Sequence, residues 1–212
     1  MKKSLAIGAA SVALAAMPIV GVFATEQEQT ITDTLRATVS TACMFTRWGE
    51  AGAANQVDTT TGDVAPAWSG AASGAADTVT GIYSATFKPG MDVELGTSHF
   101  SGYCNDANGF TITVATPDLA TSTGAGAKTI PFAGTTPDST NGEGWTLTKS
   151  GSGGLVTATG ATFIDGSAGP SDASDPLTET ATYTVYTKST TKSGTYTADV
   201  VYTFTYEDPN AS

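Results

Sequence analysis

Segments in which apolar and polar residues alternate with a period of two recur along the chain beyond its N-terminal apolar run, and no sustained stripe of apolar positions three and four apart competes with them there. From Ile31 the odd positions read Ile31, Asp33, Leu35, Ala37, Val39, Thr41, Cys43, with threonines and Arg36 opposite. The pattern predicts a strand that carries Cys43 on its inner face. Further strands are predicted at Gly81 to Phe87, Met91 to Leu95, Phe100 to Cys104 and Phe110 to Val114, with turn or breaker residues such as Pro89-Gly90 and Pro117 between them. Trp145 and Leu147 mark another, and Thr180 to Lys188, around Tyr183 and Val185, a longer one. The last is "SGTYTADVVYTFTY", in which Tyr196, Ala198, Val200, Tyr202, Phe204 and Tyr206 share one parity. Short strands joined by Gly, Asp and Pro turns predict an all-β sandwich. The stretches 50–80, 115–144 and 151–175 are rich in Gly, Ala, Thr, Ser and Asp and read as long loops.

The N-terminus adds an address. Lys2 and Lys3 precede an apolar run from Leu5 to Val20, and Val22-Phe23-Ala24 offers small residues at a cleavage position. Residues 1–24 therefore read as a secretory signal, leaving 25–212 as a single domain. The product is expected to be secreted, in an extracellular, cell-surface or periplasmic setting, with no membrane insertion after signal removal. Without Lys2 and Lys3, seven of the nine basic side chains remain against twenty acidic ones, a net charge near −13. Such a surface repels nucleic acid, which is not an expected partner.

In an oxidising compartment the two cysteines, Cys43 and Cys104, read as one disulfide. No metal site is expected, because His99 is the one imidazole and no CxxC spacing occurs. No cofactor or catalytic constellation is expected either, since GxSxG, HExxH and phosphate-loop patterns are absent. Asp106-Ala107-Asn108-Gly109 and the Asp165, Asp172, Asp175 group echo parts of calcium loops but lack the downstream Glu, and the first reads as a hairpin turn. Trp145 alternates with Leu147 as a core residue would. Trp48 lies just before the first long polar segment and Trp68 within it, and Trp68 is a candidate ligand contact because an indole face stacks on sugars.

Three stretches carry a resemblance. "LRATVSTACMF" is an alternating strand ending in a cysteine, and "GYCNDANGFTITVATPDL" joins a cysteine, a turn and a strand. "SGTYTADVVYTFTY" closes the chain with Gly194 and Tyr206 twelve positions apart. Together they resemble spore coat protein U-like proteins and the related chaperone–usher fimbrial subunits. The resemblance implies an immunoglobulin-like β-sandwich with one disulfide, acting as a structural or adhesive surface component that self-assembles or meets a chaperone by strand addition. On that reading Tyr196, Val200, Tyr202, Phe204 and Tyr206 border an open groove; on the other, they form a central core strand of a closed sandwich. A soluble module binding an extracellular glycan or surface ligand is the alternative function.

Overall fold

The structure, a computed structural model, describes residues 42–70, 81–121, 128–137, 142–150 and 154–206. All lie in the unit Val39–Ser212; the unit Met1–Thr38 falls outside, and with it residues 1–24 and nearly all of the strand expected from Ile31. The described chain is all-β, with two short 3-10 turns as its helical content. Its strands are β1 (Cys43–Ala51), β2 (Val64–Gly70), β3 (Gly81–Thr86), β4 (Asp92–Cys104), β5 (Phe110–Ala115), β6 (Leu119–Thr121) and β7 (Thr129–Ile130). They continue with β8 (Gly144–Lys149), β9 (Gly154–Leu155), β10 (Ala161–Asp165), β11 (Leu177–Tyr186), β12 (Tyr196–Thr197) and β13 (Val201–Tyr206).

A five-stranded sheet runs β1-β4-β11-β8-β9, and a three-stranded sheet β10-β5-β13 faces it. Side chains that alternate inward from both sheets make the core. Phe100 of β4 meets Phe163 of β10 edge-on at 5.0 Å, and Phe45 of β1 stacks on Phe204 of β13 at 5.7 Å. Ile112, Val114, Leu147 and Ala181 are fully buried between them. The hairpin β2-β3 and the small sheet β12-β6-β7 complete the unit.

Cys43 and Cys104 are register partners on β1 and β4 and form the expected disulfide. It spans 61 residues, and a loop of that length is worth roughly 4 kcal/mol in the chain-entropy picture.

Several boundaries differ from the expectation. Met91 to Leu95 and Phe100 to Cys104 are one strand, β4, because a bulge at Leu95 carries the ladder past Gly96 without a break. Gly96 is required there: a Cβ would lie 2.3 Å from the Glu50 carbonyl oxygen and 2.7 Å from the Tyr83 ring. The three long segments also contain strands: β2 within 50–80, β6 and β7 within 115–144, β9 and β10 within 151–175. Their apolar positions are few, so alternation is faint, and pairing with neighbours supplies what propensity does not. Asn108-Gly109 is a turn but not a hairpin. It passes the chain from β4 in one sheet to β5 in the other, with the Asp106 carboxylate accepting from the Asn108 N–H at 2.8 Å.

Candidate functional site

Alternation in the last stretch predicts one strand; the structure divides it. Tyr196 belongs to β12 and pairs with Thr121 in the small sheet, whereas Tyr202, Phe204 and Tyr206 belong to β13 and pair with β5. Residues 198–200, including Val200, form the step between them, with Val200 packed against the core. Asp199 and Val201 interrupt the Tyr/Thr rhythm at this step.

β13 is not a central strand. It lies at the edge of its sheet and is hydrogen-bonded to β5 alone among the described strands. Its outer residue Val201 is 52 % exposed and its terminal Tyr206 44 %, while Tyr202 and Phe204 are half-buried. β1 is likewise an edge, and the Phe45–Phe204 stack puts these two edges on the same side of the sandwich. Met44 and Trp48 project outward from β1. That side offers two strands that have one ladder partner each among the described strands, with a row of aromatic rings beneath them.

Beneath this side lies a polar network that sequence reasoning missed. Arg47, between Phe45 and Gly49 on the inward parity of β1, is only 8 % exposed. Its Nε and Nη2 donate to Ser98 Oγ at 3.1 and 2.9 Å, and Nη2 also donates to Tyr83 Oη at 3.4 Å. Tyr183 donates to Ser98 Oγ at 3.2 Å, and Tyr202 and Tyr183 hydroxyls stand 2.9 Å apart. Tyr83 lies 2.7 Å from Ser98 Oγ and donates to the Thr97 carbonyl at 2.9 Å. One direction of donation runs through the hydroxyls, Tyr202 to Tyr183, Tyr183 to Ser98, Ser98 to Tyr83 and Tyr83 to Thr97, with the two Arg47 N–H groups sharing one side of Ser98 Oγ. The signal available in the sequence was a charged residue on an apolar parity.

Burial is the leading cause that holds the phenols of Tyr83 and Tyr183 above the ordinary tyrosine pKa, and that of Tyr202 well above it, with the Tyr183 phenol adding to the rise at Tyr83 and Tyr202. The phenols therefore stay protonated through the neutral range and serve as fixed donors. The network links β1, β4 and β11 of one sheet to β13 of the other and to β3 of the hairpin.

Trp68 lies on β2, half-buried, with its indole over Gly49: a Cβ there would come within 2.5 Å of Nε1 and 2.2 Å of the Tyr83 hydroxyl. That buried Nε1 has no hydrogen-bond partner among the described residues. Trp48 is the displayed indole, 46 % exposed and stacked on His99 at 3.6 Å, and His99 Nε2 stands 3.0 Å from Glu50. Trp145 fills the core as expected, its Nε1 donating to the Pro117 carbonyl at 3.0 Å. Asp165 and Asp172 each cap their own turn by accepting from the N–H and hydroxyl of Ser167 and Ser174, which holds both carboxyls below their usual range.

Fold and site together define a disulfide-stapled all-β protein in which, among the described strands, β1 and β13 are edges on one side. No protein-family model matches the chain, and no curated protein or solved structure matches it either.

Proposed function

We propose that this is an exported structural or adhesive surface protein of the coat or fimbrial-subunit type, which joins a neighbour or a chaperone by strand addition. The observation that carries the reading is the β13 edge. It combines an edge with no second ladder partner among the described strands, an exposed Val201 and Tyr206, and half-buried Tyr202 and Phe204 that an added strand would cover. An incoming strand gains main-chain hydrogen bonds along the edge and places alternate side chains against those rings. The resemblance to spore coat protein U-like proteins points the same way. The alternating segment around Ile31 and Leu35 is the natural donor within this chain.

The test compares chain 25–212, exported into an oxidising compartment, with the same chain lacking 25–33, by light-scattering mass and negative-stain microscopy. Concentration-dependent oligomers of the longer chain and monomers of the shorter one are expected. Compact monomers from both would reject self-assembly by that segment.

A second reading, a soluble glycan-binding module, is favoured by the exposed Trp48, whose other face is backed by His99. If a glycan is bound and Trp68→Ala leaves the affinity unchanged, Trp68 has no part in it.

A further inference from the structure

Positive charge is scarce in this chain, which carries a formal net charge of −11. Six basic residues fall among those described, and three of them are engaged. Arg47 donates to Ser98 and Tyr83, and Lys88 to the Thr61 hydroxyl. Lys149 stands 3.9 Å from Glu179 and 5.5 Å from the centre of the Phe163 ring. The other three, Lys128, Lys188 and Lys192, line one solvent-open cavity of about 430 Å³. Among the described residues no carboxylate pairs with any of their ammonium groups.

The cavity is built. Lys128 immediately precedes β7, and Lys188 and Lys192 flank the turn that follows β11. Thr191 N–H donates to the Lys188 carbonyl at 2.9 Å, and the Thr191 hydroxyl accepts from the Lys188 N–H while donating to Glu143. The Tyr196 hydroxyl closes the other side by donating to the Lys192 carbonyl at 2.7 Å. These bonds fix the backbone under the lysines and leave the ammonium groups themselves available. Three lysines against one carboxylate, already bonded to Thr191, give the lining a net positive charge. Threonine hydroxyls and the Tyr196 ring fill out the lining, so the remainder of a ligand meets polar groups and one aromatic surface. A cavity of this volume falls within the usual range for small-ligand sites.

We infer that this cavity binds an acidic saccharide, with the sugar's carboxylate or sulfate held by Lys128, Lys188 and Lys192 and its hydroxyls by the Thr129 and Thr190 side chains. A densely charged polyanion such as nucleic acid does not suit it, because the acidic surface beyond the cavity repels every further charge. The site is separate from the β13 edge and does not depend on strand addition.

The full exported chain is titrated with a uronate oligosaccharide, a sulfated disaccharide, a neutral oligosaccharide of equal length and inorganic sulfate, at about 0.05 M and about 0.5 M salt. One or both acidic sugars should bind saturably at low salt, and at least tenfold more weakly at high salt or in the Lys128→Gln/Lys188→Gln/Lys192→Gln protein. Lys88→Gln should leave binding unchanged. Lysine acetylation read by mass spectrometry gives a check on the unmutated chain: the sugar should protect Lys128, Lys188 and Lys192 but not Lys88. The inference is overturned if neither acidic sugar binds, if the neutral sugar or inorganic sulfate binds as well as they do, or if the three lysines are not protected.

Discussion

β11 and β13 look alike as sequences and behave differently as strands. "TATYTVY" and "VYTFTY" both alternate threonine with tyrosine, valine or phenylalanine, and both turn their large side chains toward the same core. Yet β11 is paired on both sides, with β4 and β8, and buries Ala181, Tyr183 and Val185 almost completely. β13 is paired on one side among the described strands and leaves Tyr202 and Phe204 half-buried. The difference lies in the number of neighbours, not in the pattern. A strand's alternation records which face meets the core, whereas its edges are satisfied by whatever the rest of the chain brings alongside.

The largest effect that separates them should come from truncating their rings. Tyr183→Ala removes a buried ring and leaves the Ser98 and Tyr202 hydroxyls short of a partner, so a loss of about 3–5 kcal/mol is expected. Phe204→Ala should cost about 1–2 kcal/mol, since a half-buried ring gains only part of its transfer energy. Urea unfolding with the disulfide intact measures both, and equal losses would erase the distinction between central and edge strand.

The phenol network offers a middle-sized effect that depends on pH. Unfolded tyrosines ionise near 10, whereas Tyr202, Tyr183 and Tyr83 are held neutral above that value in the folded chain. The folded state then binds more protons than the unfolded one at alkaline pH. This contribution is therefore complete below about pH 10 and is lost as pH rises through the raised folded values. Tyr202→Phe removes one such group, so the variant should lose less stability than the parent between about pH 8 and about pH 11. Identical alkaline losses in the two proteins would remove Tyr202 from the cause.

The smallest effect on stability should be the most informative about function. Val201→Lys, on the exposed face of the edge strand, should change stability by no more than about 0.5 kcal/mol. It should nevertheless weaken any strand-addition assembly, because a lysine on an edge opposes pairing. The same change at Ala181 in β11 would bury an unpaired ammonium and prevent folding. If Val201→Lys leaves assembly intact, the β13 edge is not where it occurs.

Some of this was legible along the chain. The all-β class, the Cys43–Cys104 bond, Trp145 in the core and the inward parities around Phe110, Ile112 and Val114 follow from period-two spacing and cysteine count. Arg47 was not recognised, although an arginine between Phe45 and Gly49 on an inward parity was there to be read. Nor could spacing show that Lys128 lines one cavity with Lys188 and Lys192, because their approach depends on β7 pairing with β6 and β6 with β12 across more than 60 residues of sequence.

What the sequence by itself determined is local: a side chain's parity sets its face, and a Gly, Pro or Asp cluster sets where a strand can stop. Tertiary structure alone decided that the closing stretch breaks at 198–200 into two sheets, that β13 ends up at an edge, and that a buried arginine is answered by Ser98 and Tyr83 from other strands. The physical reason is that ladder hydrogen bonds and buried polar contacts join residues far apart in the chain, and no local pattern specifies which distant strand will lie alongside.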